Sequence, residues 1–229
     1  MKTIEEIKNQ ILQDNLDESS VEYANSRLTM APRKTLENVE FCIKECIKNK
    51  IEGDFIECGV WRGGISIFAN EVFKLLKENR KVYLSDSFEG LPKPNPEKYP
   101  MDYGDIHWTL SELAVSLESV KENFKIFGDI NDNIIFLKGW FKDTLPNCDI
   151  EKICILRMDG DMYESTMDTL VNLYPKLSVG GFCIVDDYGH KGANEAVHNY
   201  RDEHNITDEI IIIDPRPNVY PSAYWIKTK

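Results

Sequence analysis

No apolar run in the 229-residue chain approaches the length needed to cross a bilayer, and no segment repeats another or is dominated by a few residue types. Those absences remove membrane spans, solenoid arrays and low-complexity linkers from consideration. Positive charge is also short: 27 Lys and Arg face 39 Asp and Glu, a net charge of −12. Such a balance favours solubility and argues against a nucleic-acid backbone or an anionic membrane as partner. None of the six cysteines (Cys42, Cys46, Cys58, Cys148, Cys154, Cys183) forms a Cys-x-x-Cys pair. Cys58, Cys154 and Cys183 lie within apolar runs, where a thiol behaves as a small hydrophobe. The sequence therefore predicts reduced thiols in a cytoplasmic protein. The opening "MKTIEEIKNQILQDN" reads as a charged amphipathic helix, not a signal peptide.

What is present is a helical start and then a strand–helix alternation. Residues 1–50 are expected to form helices that pack on a second, larger unit at 51–229. In "KTLENVEFCIKECIKNK", Leu36, Val39, Ile43 and Ile47 make one apolar stripe, and Pro32 suits the first turn of that helix. From residue 54 short apolar runs read as strands: "DFIEC" (54–58), "KVYLSD" (81–86), "NIIFLKG" (133–139), "KICILRMD" (152–159) and "GFCIVDD" (181–187). Helical patterns separate them, and "DEIIIID" (208–214) with "PSAYWIKTK" (221–229) suits a closing antiparallel hairpin. This alternation predicts an α/β fold, a mostly parallel Rossmann-like sheet of seven strands with helices on both faces and an antiparallel C-terminal strand. Residues 87–115 break the rhythm with four prolines in nine positions, and a connection that long is expected to act as a lid.

In such sheets ligands bind at the carboxyl ends of the strands. Glu57, Asp86, Gly139, Asp159, Asp186 and Asp187 all fall there. "ECGVWRGGIS" has the place of a nucleotide-binding turn, but Trp61 occupies the middle glycine of a Gly-x-Gly-x-x-Gly fingerprint. A bulky indole there disfavours a pyrophosphate, and no Gly-Lys-Ser/Thr of a P-loop follows. The turn suits a ligand with a ribose and no phosphate. Asp86 can bind ribose hydroxyls, and Glu57 suits a cationic ligand, which together describe S-adenosylmethionine. The plainer alternative is that either acid caps or pairs near a helix start.

Asp159 closes the fourth expected strand, and Asp186 with Asp187 closes the fifth. Strands ~4.8 Å apart bring the three into one pocket. Carboxylates without neighbouring Cys or His favour a hard cation, Mg²⁺ first, although one acid on each strand could instead cap the next helix. Asp161 is expected to stand behind those ligands or to cap the helix starting near Tyr163. Asp159-Gly160-Asp161 also matches the Asp-x-Asp element of metal-dependent glycosyltransferases. A glycosyltransferase is thus the alternative activity, and a non-catalytic S-adenosylmethionine-binding protein a third reading.

The stretches "GDFIECGVWRGG", "DSFEGLP", "LAVSLESVKENF", "GWFKDTLP", "LRMDGDMYESTMDTLVNLYPKLSVGGFCIVDDYG" and "YWIK" resemble the macrocin O-methyltransferase family, the sugar O-methyltransferases of macrolide and aminocoumarin biosynthesis. The resemblance runs from about residue 25 to the C-terminus. It implies a class I methyltransferase fold using S-adenosylmethionine and Mg²⁺. Carried over by motif, Glu57, Gly59 and Trp61 hold the methionine part and Asp86 the ribose, with Gly63 and Ser87 also binding the cofactor. Gly139 and Trp140 lie near the adenine, and Thr29 and Met30 of "RLTMAPR" touch the cofactor. Asp159, Asp186 and Asp187 are the implied metal ligands. The implied partner is a sugar-bearing small molecule, with no nucleic acid or membrane, and a homo-oligomer is expected.

Methyl transfer is an in-line displacement that discharges a sulfonium, so positioning and activation of the alcohol dominate catalysis. Mg²⁺ coordination would acidify the sugar hydroxyl. Catechol-type relatives with such a metal site carry a Lys three positions after the first Asp, where this chain has Met162. The base must come from elsewhere. His107 in the lid is the candidate, with His190 second, while His198 and His204 are expected to be structural or exposed.

Overall fold

Three helices open the chain because its apolar residues recur every third or fourth position. The computed structural model describes residues 2–14, 16, 21–215 and 221–229. α1 (Ile4–Leu12) starts on a capping box: the Thr3 hydroxyl accepts from the Glu6 N–H at 3.2 Å, and the Glu6 carboxylate accepts from the Thr3 N–H at 2.7 Å. After α2 (Val21–Ser26), α3 (Arg33–Lys48) begins one residue beyond Pro32, which takes the N-cap position instead of the first turn. Ile7, Ile11, Leu36, Val39 and Ile43 share one buried core with Phe55, Ile67 and Phe182, so these helices cover the sheet.

The alternation that follows is β1 (Asp54–Cys58), α4 (Gly64–Leu75), β2 (Val82–Asp86), α5 (Leu117–Lys125), β3 (Ile134–Lys138), α6 (Phe141–Thr144), β4 (Ile153–Met158), α7 (Tyr163–Leu173), β5 (Leu177–Val185), α8 (Lys191–Glu203), β6 (Ile211–Ile212) and β7 (Ala223–Ile226). The seven strands stand in the order β3-β2-β1-β4-β5-β7-β6. The first five are parallel, and β7 runs antiparallel to both β5 and β6. Residues alternate faces along each strand. Phe55 and Ile155 enter the core under α3 and α4, while Ile56 and Leu156 enter the opposite core with Leu170, Val197 and Trp225.

Two elements differ from the sequence expectation. β5 starts at Leu177, four residues before the expected start at 181, because its register against β4 shifts between Ile153 and Ile155 and accommodates the Gly180–Gly181 pair. Gly180 has φ +85° there, and a Cβ would meet the Ile51 side chain at 2.5 Å. Those glycines read as a turn. β6 is two residues long, shorter than the 208–214 run. Residues 87–115 contain only three short 3₁₀ turns, at Pro100–Asp102, His107–Thr109 and Ser111–Leu113. No helix of the described residues is long and apolar enough to cross a membrane.

Candidate active site

The chain direction reverses its sideways progress at β1, whose neighbours are β2 and β4, and this opens a crevice above the strand ends. Gly59 makes the crevice possible. It has φ +87°, and a Cβ on it would stand 1.7 Å from the Asp159 carbonyl oxygen. Trp61, in the same turn, also has a positive φ of 45°, and its indole N–H donates to the Glu112 carbonyl at 2.9 Å, tying the turn to the 87–115 connection.

Asp86 closes β2 and organises the same turn. Its carboxylate accepts from the Val60 N–H at 2.8 Å and the Phe88 N–H at 2.7 Å. Burial nevertheless raises its pKa, with those amides pulling the other way. The Ser87 hydroxyl donates to the Gly90 carbonyl at 2.6 Å. At the end of β3, the Gly139 N–H donates to the Asp86 carbonyl at 2.9 Å and Trp140 precedes α6. A pocket of about 820 Å³, its open mouth included, is lined by Gly59, Trp61, Asp86, Ser87, Trp140 and Asp159, with Met30 at one rim. Phe141, Lys142, Glu164 and Asp168 also line it; they fall within the stretches that resemble the family, which give them no role of their own.

Glu57, Gly63, Thr29 and Gly139 are not among the lining residues. Gly63 is the left-handed N-cap of α4, and the buried Thr29 hydroxyl accepts from the Ala31 N–H at 3.1 Å. Glu57 lies under the floor, where Ser66 donates to one oxygen and Arg157 to the other, the latter at 2.6 Å. Burial pushes its carboxyl up to about 7 against the pull of Arg157.

Arg157 was not singled out from the sequence. It is fully buried on β4, and its Nη1 lies 2.6 Å from Glu57 and 2.8 Å from Asp159, while Nη2 lies 2.7 Å from Asp186. The signal was available, because a charged residue inside "KICILRMD" survives burial only with partners. Asp159, Asp186 and Asp187 do converge, each offering an oxygen within 4.8 Å of the others. Burial and mutual repulsion raise Asp159 and Asp187 well above the usual carboxylate range, although the Asp159 side chain is still 33% exposed toward the pocket.

Asp161 lines the pocket, and burial followed by the Asp159 charge pushes it up to about 7. It does not cap α7, as one reading had it. The buried Asp102 of the 87–115 connection does so, accepting from the Tyr163 N–H at 2.7 Å and the Glu164 N–H at 3.1 Å. Asp161 turns with φ +59° so that its own N–H donates to Asp187 at 2.8 Å, and its carboxylate lies 3.8 Å from His190 Nδ1.

The two candidate bases meet here. The His107 and His190 rings are 5.8 Å apart, and His107 Nδ1 lies 3.0 Å from Asp105. Hydrogen bonding to Asp105 raises the pKa of His107, whereas burial and the neighbouring His107 lower that of His190. Tyr188 bonds His198 through its hydroxyl at 3.0 Å, and His204 stacks on Tyr200 at 4.1 Å.

The strand order, the glycine turn after β1 and the acid closing β2 define a class I methyltransferase fold. The family described as macrocin-O-methyltransferase (TylF) matches residues 2–225, and the chain belongs to that family. It is 44% identical over 207 residues to mycinamicin III 3″-O-methyltransferase of Micromonospora griseorubida, covering 89% of this chain and 81% of the relative. It is 45% identical over 204 residues to demethyldecarbamoylnovobiocin O-methyltransferase of Streptomyces niveus, covering 88% and 76%. The solved structure of the O-methyltransferase NovP superposes with a TM-score of 0.91 at 38% identity over 99% of this chain and 98% of that one. The chain is accordingly an S-adenosylmethionine-dependent O-methyltransferase.

Proposed function

We propose that the protein methylates a sugar hydroxyl of a natural product or glycan, with Mg²⁺ assisting at the strand-end acids. The relatives named above are O-methyltransferases of mycinamicin III and demethyldecarbamoylnovobiocin, and a third is a 4′-O-methyltransferase of a rhamnosyl-tetracenomycin. The observation that carries the reading is the meeting of Asp159, Asp186 and Asp187 beside the pocket that Gly59 and Asp86 line.

The residues fit such a cation. Arg157 uses one oxygen of Asp159 and one of Asp186, and the Asp161 N–H uses one of Asp187, so each keeps a second oxygen for a ligand. Asp159, Asp186 and Asp187, which can each offer an oxygen within 4.8 Å of the others, would hold the hard cation there. Burial first, and then the neighbouring carboxylates, raise the pKa of Asp159 and Asp187, and a cation bound there would oppose that shift. Bound there, Mg²⁺ would polarise the acceptor hydroxyl and lower its pKa.

The chain's own residues do the remainder. Gly59, Trp61, Asp86, Ser87, Trp140 and Met30 hold the donor with its methyl group facing the acids, and Glu57, Gly63, Gly139 and Thr29 shape the walls behind them. The acceptor oxygen attacks the methyl carbon as the carbon–sulfur bond breaks, releasing S-adenosylhomocysteine. The hydroxyl proton goes to a base. His107, oriented by Asp105 and presented by the 87–115 connection acting as a lid, fills that role. A second reading assigns the base to Asp161, which lines the pocket where His107 does not. Kinetics of His107→Ala and Asp161→Asn separate the two, since only the true base costs kcat without loss of donor binding.

The proposal predicts incorporation of labelled methyl from S-adenosylmethionine into deoxysugar glycosides, in a screen that also includes catechols and sugar nucleotides. Transfer confined to catechols, or consumption of a sugar nucleotide, would overturn it.

A further inference from the structure

Arg157 is buried in the middle of the sheet, where a cluster of charges is a costly way to gain stability. Buried ion pairs often prove no better than well-packed apolar residues, and neither Nε nor Nη2 of this guanidinium makes a hydrogen bond, Nη2 meeting Asp186 only as an ion pair. Its geometry has a different use. Glu57 faces Arg157 across the β1–β4 register, and Ser66 on α4 holds the second Glu57 oxygen, so the guanidinium is anchored from below. On the pocket side Nη1, which also bonds Glu57, donates to Asp159 at 2.8 Å, while Nη2 lies 2.7 Å from Asp186 as an ion pair. Three strand ends are thereby joined through one planar group. A planar fork can hold several carboxylates at fixed angles, which the point charge of a lysine cannot do.

We propose that Arg157 is a positioning residue: anchored on Glu57, it turns the Asp159 and Asp186 carboxylates so that their other oxygens converge with Asp187 on a single divalent cation. The inference rests on the metal reading above. Arg157 affects that cation in two opposed ways, since its charge repels the ion while its geometry prepares the ligands. Variants that conserve charge isolate the second effect.

The test titrates Mn²⁺, an EPR-visible substitute for Mg²⁺, into donor-free protein and follows the free-ion signal. Wild type is expected to bind Mn²⁺. Arg157→Lys and Glu57→Asp both keep the formal charge and are expected to bind it at least tenfold more weakly, although neither side chain is a ligand. A purely structural role would lower the melting temperature and leave Mn²⁺ affinity unchanged. A folded Arg157→Lys protein with wild-type affinity overturns the inference. Where Arg157→Lys does not fold, the milder Glu57→Asp decides it by the same criterion. Wild-type protein that binds no Mn²⁺ overturns the metal reading and this inference with it, whereas binding by wild type and variants alike overturns this inference alone.

Discussion

At the carboxyl ends of the central strands, Glu57, Asp159 and Asp186 are fixed by strand register and by one guanidinium buried among them. Across the pocket, the 87–115 connection is held by isolated bonds: Asp102 caps α7, Trp61 donates to the Glu112 carbonyl, and Asp105 pairs with a half-exposed His107. One side is set by the core of the fold and the other by contacts that can each be lost without unfolding it. The difference assigns the parts of the reaction. On the proposed function, donor and metal chemistry, which need constancy, would fall to the strand ends, and acceptor recognition and closure, which need adaptability, to the loop.

The contrast can be broken most severely at the rigid strand ends. Asp159→Asn should lower kcat by at least about 100-fold, the loss of several kcal/mol of stabilisation by the ion, while calorimetry finds S-adenosylhomocysteine bound within a few fold of wild type. Near-wild-type turnover would remove Asp159 from the metal site. Asp86→Asn should weaken S-adenosylhomocysteine binding by about tenfold or more, because the carboxylate serves both ligand and turn. An unchanged dissociation constant would show that the ribose lies elsewhere.

On the loop the expected effects are smaller and of another kind. Asp102→Ala removes the cap of α7, worth about 1 kcal/mol, and should lower the melting temperature by about 2–4 °C. It should also raise the acceptor KM with donor binding unchanged. An altered donor affinity with an unaltered acceptor KM would contradict the division of labour. Asp105→Asn gives the smallest change. A base must be neutral to accept a proton, and the Asp105 hydrogen bond raises the pKa of His107, so removing that charge lowers it. The acid limb of the kcat/KM profile should then move to lower pH. A limb that does not move would shift the base to Asp161.

These two regions were also unequally legible in the sequence. The strand ends stood out because apolar runs of strand length stop at acids, and the pairing of β1 with β4 and of β4 with β5 follows from alternation with helices. The meeting of Asp159, Asp186 and Asp187 followed directly. Arg157 was hidden because it occupies a strand position that reads as core, and its three partners come from three segments about a hundred and thirty residues apart at the extremes. Glu57 was assigned to the ligand for the same reason: its position at a strand end was visible, its inward direction beside Ser66 was not. Asp102 and the pocket-lining Glu164 and Asp168 depend on how an aperiodic loop folds back on α7, which no local pattern encodes. β6, expected over 208–214, keeps only Ile211 and Ile212 because pairing with β7, not apolar content, sets its length.

The most direct measurement is a crystal structure of the protein grown with S-adenosylhomocysteine and Mn²⁺, with anomalous scattering recorded for the metal. The account predicts one peak between the carboxylates of Asp159, Asp186 and Asp187, facing the sulfur of the bound product across the pocket. A fully occupied donor site with no peak at those acids, or with their oxygens turned away from it, would contradict it.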